Sequence, residues 1–247
     1  MTVRMQQKKI AYTFDYPVAV EAAEKQRSIF WTPDEIDVEK DIQDLKVNLT
    51  EAEAHGVITT LKLFTMTELV AGNEYWGKRV MRMFPRPDIN MMANAFSFFE
   101  LNVHAPFYNA INEALMLNTD EFYLSYLDTP VLADRMAFIE AAVTSKDDLL
   151  SLSVFTMVEG CSLYSAFGFL LHFQAKGKNK IKNICSGIKF STRDENLHSE
   201  GGAWLFKTLL AEKQEAGEIS TEELASLLRA ITEASEQLRQ HEYAVVD

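Results

Sequence analysis

Proline is confined to six positions of this sequence, and the stretches between them follow the period of an α-helix. No proline interrupts residues 131–247, and only ten glycines occur in 247 residues. Proline removes a backbone donor and glycine lowers helix propensity, so stretches without them favour long helices. We therefore predict an all-α chain, built as a bundle of long antiparallel helices.

Three helix starts carry a capping signal, in which a hydroxyl stands three residues before an acid. The signal occurs at Thr50–Glu53, Ser145–Asp148 and Ser220–Glu223. It predicts long helices that begin near residues 51, 146 and 221. Apolar periodicity and turn residues predict further helices over 88–117, 180–212, 34–47, 120–127 and 131–143. The last of these has Pro130 in its first turn.

Composition narrows the class of protein. A length of 247 residues, 47% of them hydrophobic, suffices for one core, and no linker is evident, so we predict one domain over 1–247. The net charge of -12 disfavours a nucleic-acid partner, because such binding uses clustered lysine and arginine. The uncharged stretch Gly160–Ala175 is too short for a membrane span and predicts a buried helix. Cys161 and Cys185 suit core positions in a reducing cytoplasm.

Two Glu/His pairs stand at helical spacing on two different predicted helices. Glu100 and His104 lie in the helix over 88–117, and Glu195 and His198 lie in the helix over 180–212. Helical bundles build two-metal carboxylate sites from two such pairs and one further acid from each of two other helices. One pair alone carries little weight, because the same spacing also occurs on surface helices.

Two isolated acids fit the remaining positions of such a site. Glu68 interrupts the largely apolar residues 63–70, and Glu159 interrupts residues 154–161. An acid within a core stripe is costly unless it is ionised against a cation. Four carboxylates neutralise two divalent ions. The predicted metal ligands are Glu68, Glu100, His104, Glu159, Glu195 and His198.

These ligands, with Tyr108 after His104 and the segment Arg193-Asp194-Glu195-Asn196-Leu197-His198, resemble those of the class I ribonucleotide reductase small subunit. The resemblance extends from about Trp31 to His198. It implies a ferritin-like fold, a di-iron, di-manganese or mixed Mn/Fe centre, and a redox role in making deoxyribonucleotides from ribonucleotides. Tyr108 matches the family's radical tyrosine, and Trp31 matches a tryptophan that relays an electron. Asp194 matches the acid between that tryptophan and a metal-bound histidine.

The resemblance also implies the partners of a cytoplasmic enzyme. They are a large subunit that holds the ribonucleotide, a second copy of this chain in a homodimer, and an activating flavoprotein. A nucleic acid or a membrane is not expected as a partner. The pocket around Tyr108 is predicted to be lined by Leu163, Phe167 and Ser191, which lie one or two helical turns from Glu159 or Glu195.

Two features depart from the family pattern. Glu100 and His104 are spaced by four residues rather than three, and Pro106 follows, so we predict a bend or a one-residue bulge in this helix. The chain ends at Asp247, which leads us to expect that the family's C-terminal helices and docking tail are not included.

Other classes of protein use the same residue types. A ferritin-like iron store or a hydrocarbon oxygenase has the same ligands, so fold alone does not choose among them. Tyr108, Asp194 and Trp31 together favour the reductase. A non-enzymatic helical interaction protein would keep its acids solvated, and the absence of about two tightly bound metal ions per chain would support that class.

Overall fold

Helices carry most of the chain in the computed structural model, which describes residues 3–246. They are α1 (Pro17–Ser28), α2 (51–83), α3 (87–114), α4 (Asp120–Leu124), α5 (Pro130–Thr144), α6 (148–171), α7 (Lys182–Ala216) and α8 (Thr221–Val246). No β-strand occurs among the described residues. The predicted all-α class is therefore confirmed.

Reciprocal side-chain caps define where α2 and α8 begin. Glu53 N donates a hydrogen bond to Thr50 Oγ1 at 3.2 Å, and Thr50 N donates to Glu53 Oε2 at 3.0 Å. Ser220 and Glu223 make the same pair of bonds before α8, at 3.1 and 2.8 Å. Both predicted starts are confirmed. The helices begin here because these bonds satisfy amides that have no partner within the helix.

The predicted start near residue 146 is wrong by two residues, because a different side chain caps the helix. The carboxylate of Asp147 accepts hydrogen bonds from Leu149 N at 2.9 Å and from Leu150 N at 3.1 Å. Ser145 Oγ instead accepts from Asp147 N at 3.2 Å. Because the Asp147 carboxylate accepts hydrogen bonds from the free amides of the first turn, α6 begins at Asp148.

Residues 34–47, predicted as one regular helix, are divided between a short turn and an irregular helical stretch. The turn is Pro33–Glu35, and residues 38–48 are continuously helical, from a 3-10 turn at Val38–Asp41 to a π-helical turn at Asp44–Asn48. Asp41 Oδ2 accepts a hydrogen bond from Ile184 N at 2.7 Å, and Asp44 Oδ2 accepts from Ile181 N at 2.8 Å. These bonds hold the segment across the start of α7, so tertiary contacts override the local helical period.

The helix α1 is an addition to the predicted set. It packs against α3, and its buried residues are Ala19, Ala23 and Gln26. Two alanines and a glutamine give almost no apolar periodicity, so the helix has little signal in the sequence. It nevertheless contributes directly to the candidate site.

The central bundle pairs α2 with α3 and α6 with α7. The second pair is close-packed at two glycines. A Cβ atom at Gly160 would lie 2.2 Å from Ser199 Oγ, and one at Gly202 would lie 2.4 Å from Thr156 Oγ1. No side chain fits at either position without a shift, because these distances are far below van der Waals contact.

Residues Asp148–Gln174 contain the one helical stretch, within the described part of the chain, that is long and apolar enough to cross a membrane. Forty-four per cent of its most apolar window is buried inside the structure. The uncharged residues 160–175 are thus part of a longer helix than the sequence suggested. This helix packs against α7 and α8 and carries Glu159, which is 1% exposed. These contacts are those of a core helix.

A buried cation fixes the end of α8 to α5 and α6. Arg135 Nε donates to Glu242 Oε1 at 2.8 Å, and its Nη2 donates to Ser162 Oγ at 2.9 Å. Ser165 Oγ donates to Glu242 Oε2 at 2.5 Å. The side chain of Arg135 is 4% exposed. Removal of Glu242 would therefore leave this buried charge without its carboxylate partner.

We predict that Glu242→Ala lowers the free energy of unfolding by about 3 kcal/mol, because the Arg135 charge stays buried without its partner. Urea denaturation followed by circular dichroism measures the change. Glu236→Ala on the same helix is the matched control, since Glu236 pairs with Arg239 on the exposed surface. An equal effect of both substitutions would contradict a specific role for Arg135.

Candidate metal centre

The two Glu/His pairs lie on α3 and α7, and the α3 pair sits in a widened turn. Residues Glu100–His104 are π-helical, with Ala105 N donating to Glu100 O. Pro106 has no amide for the preceding turn, so the ladder shifts register at this point. The predicted bulge is confirmed. It places Glu100 and His104 on one face despite their spacing of four.

The two isolated acids lie beside similar turns in the other two helices. Glu68 is in α2, just before the π-helical residues Val70–Val80, and Glu159 lies within the π-helical turn Val158–Ser162 of α6. Each acid is 1% exposed. All four helices therefore direct at least one buried acid into the same interior space.

The six predicted ligands meet as two overlapping sets. One set is Glu68, Glu100, His104 and Glu195, and the other is Glu100, Glu159, Glu195 and His198. Within each set, one ligand atom from every residue lies within 4.8 Å of the others. Glu100 and Glu195 belong to both sets. They occupy the positions from which a carboxylate could bridge two ions.

Distances between atoms support this bridging arrangement. His104 Nδ1 lies 2.8 Å from Glu100 Oε2 and 3.1 Å from Glu195 Oε1. His198 Nδ1 lies 2.6 Å from Glu100 Oε1 and 3.5 Å from Glu195 Oε2. Each bridging carboxylate thus directs one oxygen to each imidazole. All four side chains are fully buried.

Several ligand atoms have no hydrogen-bond partner although they are buried. They include both oxygens of Glu68 and Oε2 of Glu159. Buried carboxylate oxygens without donors are costly unless a cation meets them. Four carboxylates and two imidazoles are also oxygen- and nitrogen-rich ligands that suit iron and manganese. These residues therefore fit a pair of metal ions.

Without cations, the cluster keeps protons on groups that would otherwise lose them. Burial, together with the charges of Glu100 and Glu195, raises the pKa of Glu68 well above its usual value. Burial likewise raises the pKa of Glu159, against the opposite effect of His198. Burial disfavours a charged imidazole, but the Glu100 carboxylate outweighs it and raises the pKa of His198 to about 10. Metal ions would displace these protons.

These shifts predict how the stability of metal-free protein depends on pH. His198 binds its proton more tightly in the folded state, so its contribution is fully present below about pH 6.5 and is lost as the pH rises towards 10. Glu68 and Glu159 act in the same direction, because their folded forms also retain protons. We expect unfolding free energy to fall from pH 6.5 to 10, by up to about 1.4 kcal/mol per pH unit for each proton held.

Thermal and urea unfolding across this pH range test the prediction. His198→Gln should reduce the slope, whereas His55→Gln should preserve it, because His55 is exposed. Equal slopes for the parent and His198→Gln would show that the cluster does not control this pH dependence.

Asp194 connects the site to Trp31 and to α1. Trp31 Nε1 donates to Asp194 Oδ2 at 2.7 Å, and His104 Nε2 lies 3.2 Å from the same oxygen. Gln26 Nε2 donates to Asp194 Oδ1 at 3.2 Å, and Gln26 Oε1 lies 3.0 Å from His198 Nε2. Both imidazoles thus have an oxygen acceptor at Nε2 and direct Nδ1 towards the carboxylates.

Gln26 and Trp76 are site residues that the sequence did not indicate. Gln26 lies on α1, which the sequence did not predict. Trp76 Nε1 donates to Glu159 Oε1 at 2.7 Å. Neither residue belongs to a motif of regularly spaced residues in the sequence. Only the tertiary structure therefore identifies the hydrogen-bond partner of its buried polar atom.

Tyr108 lies in an apolar pocket beside the cluster. It is fully buried, and its ring centroid is 4.9 Å from that of Phe64 and 5.2 Å from that of Phe107. Leu163 and Phe167 belong to the same buried group of side chains. Burial, followed by the charge of Glu68, raises the pKa of Tyr108 well above its usual value. The phenol therefore stays protonated.

Comparison with known protein families identifies the family to which this chain belongs. The sequence pattern described as "Ribonucleotide reductase, small chain" matches residues 9–245. The chain belongs to this family. Solved structures agree in fold: a dimanganese(II)-NrdF from Streptococcus sanguinis superimposes with a TM-score of 0.80 at 21% identity, covering 96% of this chain and 81% of that one. The predicted ferritin-like helical fold is thereby confirmed.

Curated relatives of the ribonucleotide reductase small chain match most of this sequence. A probable ribonucleoside-diphosphate reductase small subunit from Invertebrate iridescent virus 6 is 24% identical over 218 residues, which cover 81% of this chain and 59% of the relative. A ribonucleoside-diphosphate reductase subunit beta from Treponema pallidum is 26% identical and covers 88% and 63%. This chain thus spans about six-tenths of the length of these relatives.

Proposed function

We propose that this chain is the small subunit of a ribonucleoside-diphosphate reductase, which generates and stores an oxidising equivalent on Tyr108. A separate large subunit would use that equivalent to reduce ribonucleotides to deoxyribonucleotides for DNA synthesis. The observation that carries this proposal is the position of a buried phenol beside two overlapping sets of ligands. A two-metal centre without an oxidisable neighbour would fit an iron store equally well.

Two metal ions would bind the six ligands, with Glu100 and Glu195 shared between them. We propose iron as the native metal, while manganese or a mixed Mn/Fe pair fits the same donor atoms. When bound, the ions would react with an oxygen species and supply the oxidising power. Trp76 would hold Glu159 through its 2.7 Å hydrogen bond, and Gln26 would hold His198. Such outer contacts fix the orientation of ligand side chains.

Tyr108 would lose one electron and its phenolic proton. The electron would go to the oxidising metal pair and the proton to the oxygen species reduced there, whereas Glu68, a proposed metal ligand, is the carboxylate whose charge acts most strongly on this phenol. The resulting tyrosyl radical persists only where water and reductants are excluded. Leu163 and Phe167, each 1% exposed, supply the apolar wall of that pocket.

The proposed electron path to the large subunit runs through His104, Asp194 and Trp31. Each consecutive pair is joined by a short polar contact, at 3.2 and 2.7 Å. Asp194 accepts from both partners with the same oxygen, so it aligns the indole with the imidazole. Trp31 is 2% exposed, and the neighbouring Phe30 is 51% exposed. The path therefore ends immediately beneath the surface.

The remaining proposed partners are a second copy of the chain, in a homodimer, and an activating flavoprotein that delivers oxidant. We also propose a cytoplasmic location. The two cysteines are both free, and Cys185 is buried as expected. Cys161, expected in the core, is exposed because it lies on the outer side of the turn that directs Glu159 inwards.

We predict that Glu159→Ala and Glu195→Ala each lose at least one metal ion yet remain folded. Removing an acid also removes repulsion among the remaining carboxylates, so the metal-free fold tolerates the loss. Metal analysis of purified protein measures the stoichiometry. Glu200→Ala is the control, because Glu200 is exposed on α7. Full occupancy in both site variants would contradict the ligand assignment.

Tyr108→Phe should retain both metal ions and consume oxidant but give no tyrosyl signal by electron paramagnetic resonance. The substitution removes one oxygen atom and little volume, so packing should survive. Tyr75→Phe is a matched control, since the Tyr75 phenol is also fully buried without a hydrogen-bond partner. Retention of the tyrosyl signal in Tyr108→Phe would show that another tyrosine carries the radical. An iron store or oxygenase would keep its activity after this change.

Trp31→Phe should leave metal content and the Tyr108 signal intact while turnover with the large subunit falls to background. Phenylalanine keeps much of the packing but loses the indole N–H that donates to Asp194. Trp204→Phe is the control, because Trp204 packs against Tyr16 away from this path. Parental turnover in Trp31→Phe would reduce Trp31 to a packing role.

A further inference from the structure

The hydroxyl of Ser191 is buried on α7, between the apolar residues Ile184 and Ile188 on one side and the acids Asp194 and Glu195 on the other. Ser191 is 0% exposed, as are Ile184 and Ile188 on the same helix. Its Oγ atom has no hydrogen-bond partner in the structure. A buried hydroxyl without a partner is unfavourable, so this side chain is not explained by packing alone.

Two neighbouring hydroxyls of α7 are satisfied by their own helix. Thr192 Oγ1 donates to Ile188 O at 2.7 Å, and Ser186 Oγ donates to Lys182 O at 2.9 Å. Serine and threonine within helices commonly bond in this way to the preceding turn. Ser191 makes no such bond, so its hydroxyl is available to a group on another helix.

Contacts between α3 and α7 bring the phenol of Tyr108 to this hydroxyl. His104 Nδ1 lies 3.1 Å from Glu195 Oε1, and Tyr108 stands one turn after His104 while Ser191 stands one turn before Glu195. The phenolic oxygen is also fully buried and also lacks a hydrogen-bond partner. Burial raises the pKa of Tyr108, and the nearby Ser191 hydroxyl opposes that rise. Two unpartnered hydroxyls therefore share one pocket.

Close packing holds α3 and α7 together at this point. A Cβ atom at Gly187 would lie 2.2 Å from Cζ of Phe107, the residue before Tyr108. Gly187 stands one turn before Ser191. The ring of Phe107 thus packs against the α7 backbone one turn from Ser191 and keeps the two helices close there.

We propose that Ser191 is a positioning residue for Tyr108, whose hydroxyl donates a hydrogen bond to the phenolic oxygen. A small side-chain rotation would close this bond and satisfy both groups. The bond would fix the orientation of the ring, and it would persist after the phenol has lost its proton, because serine is the donor. The inference deepens the proposed role of Tyr108, but the bond forms to the neutral phenol and does not depend on its oxidation.

Nuclear magnetic resonance of protein labelled with ¹³Cζ-tyrosine tests the proposal directly. The full chain is loaded with Zn²⁺, which has no redox chemistry. The Tyr108 signal is identified by its loss in Tyr108→Phe. Ser191→Ala should shift this signal, because the donor is removed. Ser191→Thr should leave it near the parental position, since threonine keeps the hydroxyl while adding a methyl group.

Ser151→Ala is the matched control. Ser151 is also fully buried with an unpartnered hydroxyl, but it lies on α6 in a separate group of buried residues. Its substitution should leave the Tyr108 signal unchanged. Circular dichroism confirms folding of each variant.

An unshifted Tyr108 signal in Ser191→Ala would overturn the proposal. A shift in Ser191→Thr as large as that in Ser191→Ala would also overturn it, because volume rather than the hydroxyl would then be decisive. The proposed function fails by a different result, the absence of any tyrosyl signal from oxidised parent protein. In that case the Zn²⁺ experiment still decides whether Ser191 binds the phenol.

Discussion

The structure depends on the burial of four carboxylates and two imidazoles in one space without water. Each of the six side chains is at most 1% exposed. Charges in such surroundings are tolerated only when opposite charges or protons neutralise them. The long helices, the apolar pocket of Tyr108 and the contacts of Gln26 and Trp76 all hold these groups close together. The interior is therefore organised around charge neutralisation as much as around apolar packing.

Three of the four ligand-bearing helices include π-helical turns beside their acids, at Val70–Val80, Glu100–His104 and Val158–Ser162. In a regular α-helix, the 3.6 residues per turn fix the direction in which each side chain points relative to its neighbours. A wider turn changes the facing of the residues around it while the helix continues. The bundle can thus keep ordinary packing at both ends and still direct irregularly spaced acids to a common point.

The sequence predicts those features that are local. Thr50 and Ser220 mark helix starts because their bonds reach only three residues, and the Glu/His pairs are visible because one helix carries both members. Pro106 predicts the bulge for the same reason. The irregular helical geometry of residues 34–47 and the contacts of Gln26 depend on residues more than a hundred positions away. No local pattern contains that information, so it emerges only when α1, α7 and the intervening segment pack together.

The glycine at position 160 limits how this site can diverge. A side chain there would meet the Ser199 hydroxyl, so either that hydroxyl rotates away or α6 shifts relative to α7. Glu159 and the Glu195–His198 segment lie on these two helices, so their separation depends in part on this contact. A substitution at position 160 is therefore least disruptive when residue 199 lacks its hydroxyl. The geometry of the site would then depend on a pair of residues that belongs to neither set of acids and imidazoles.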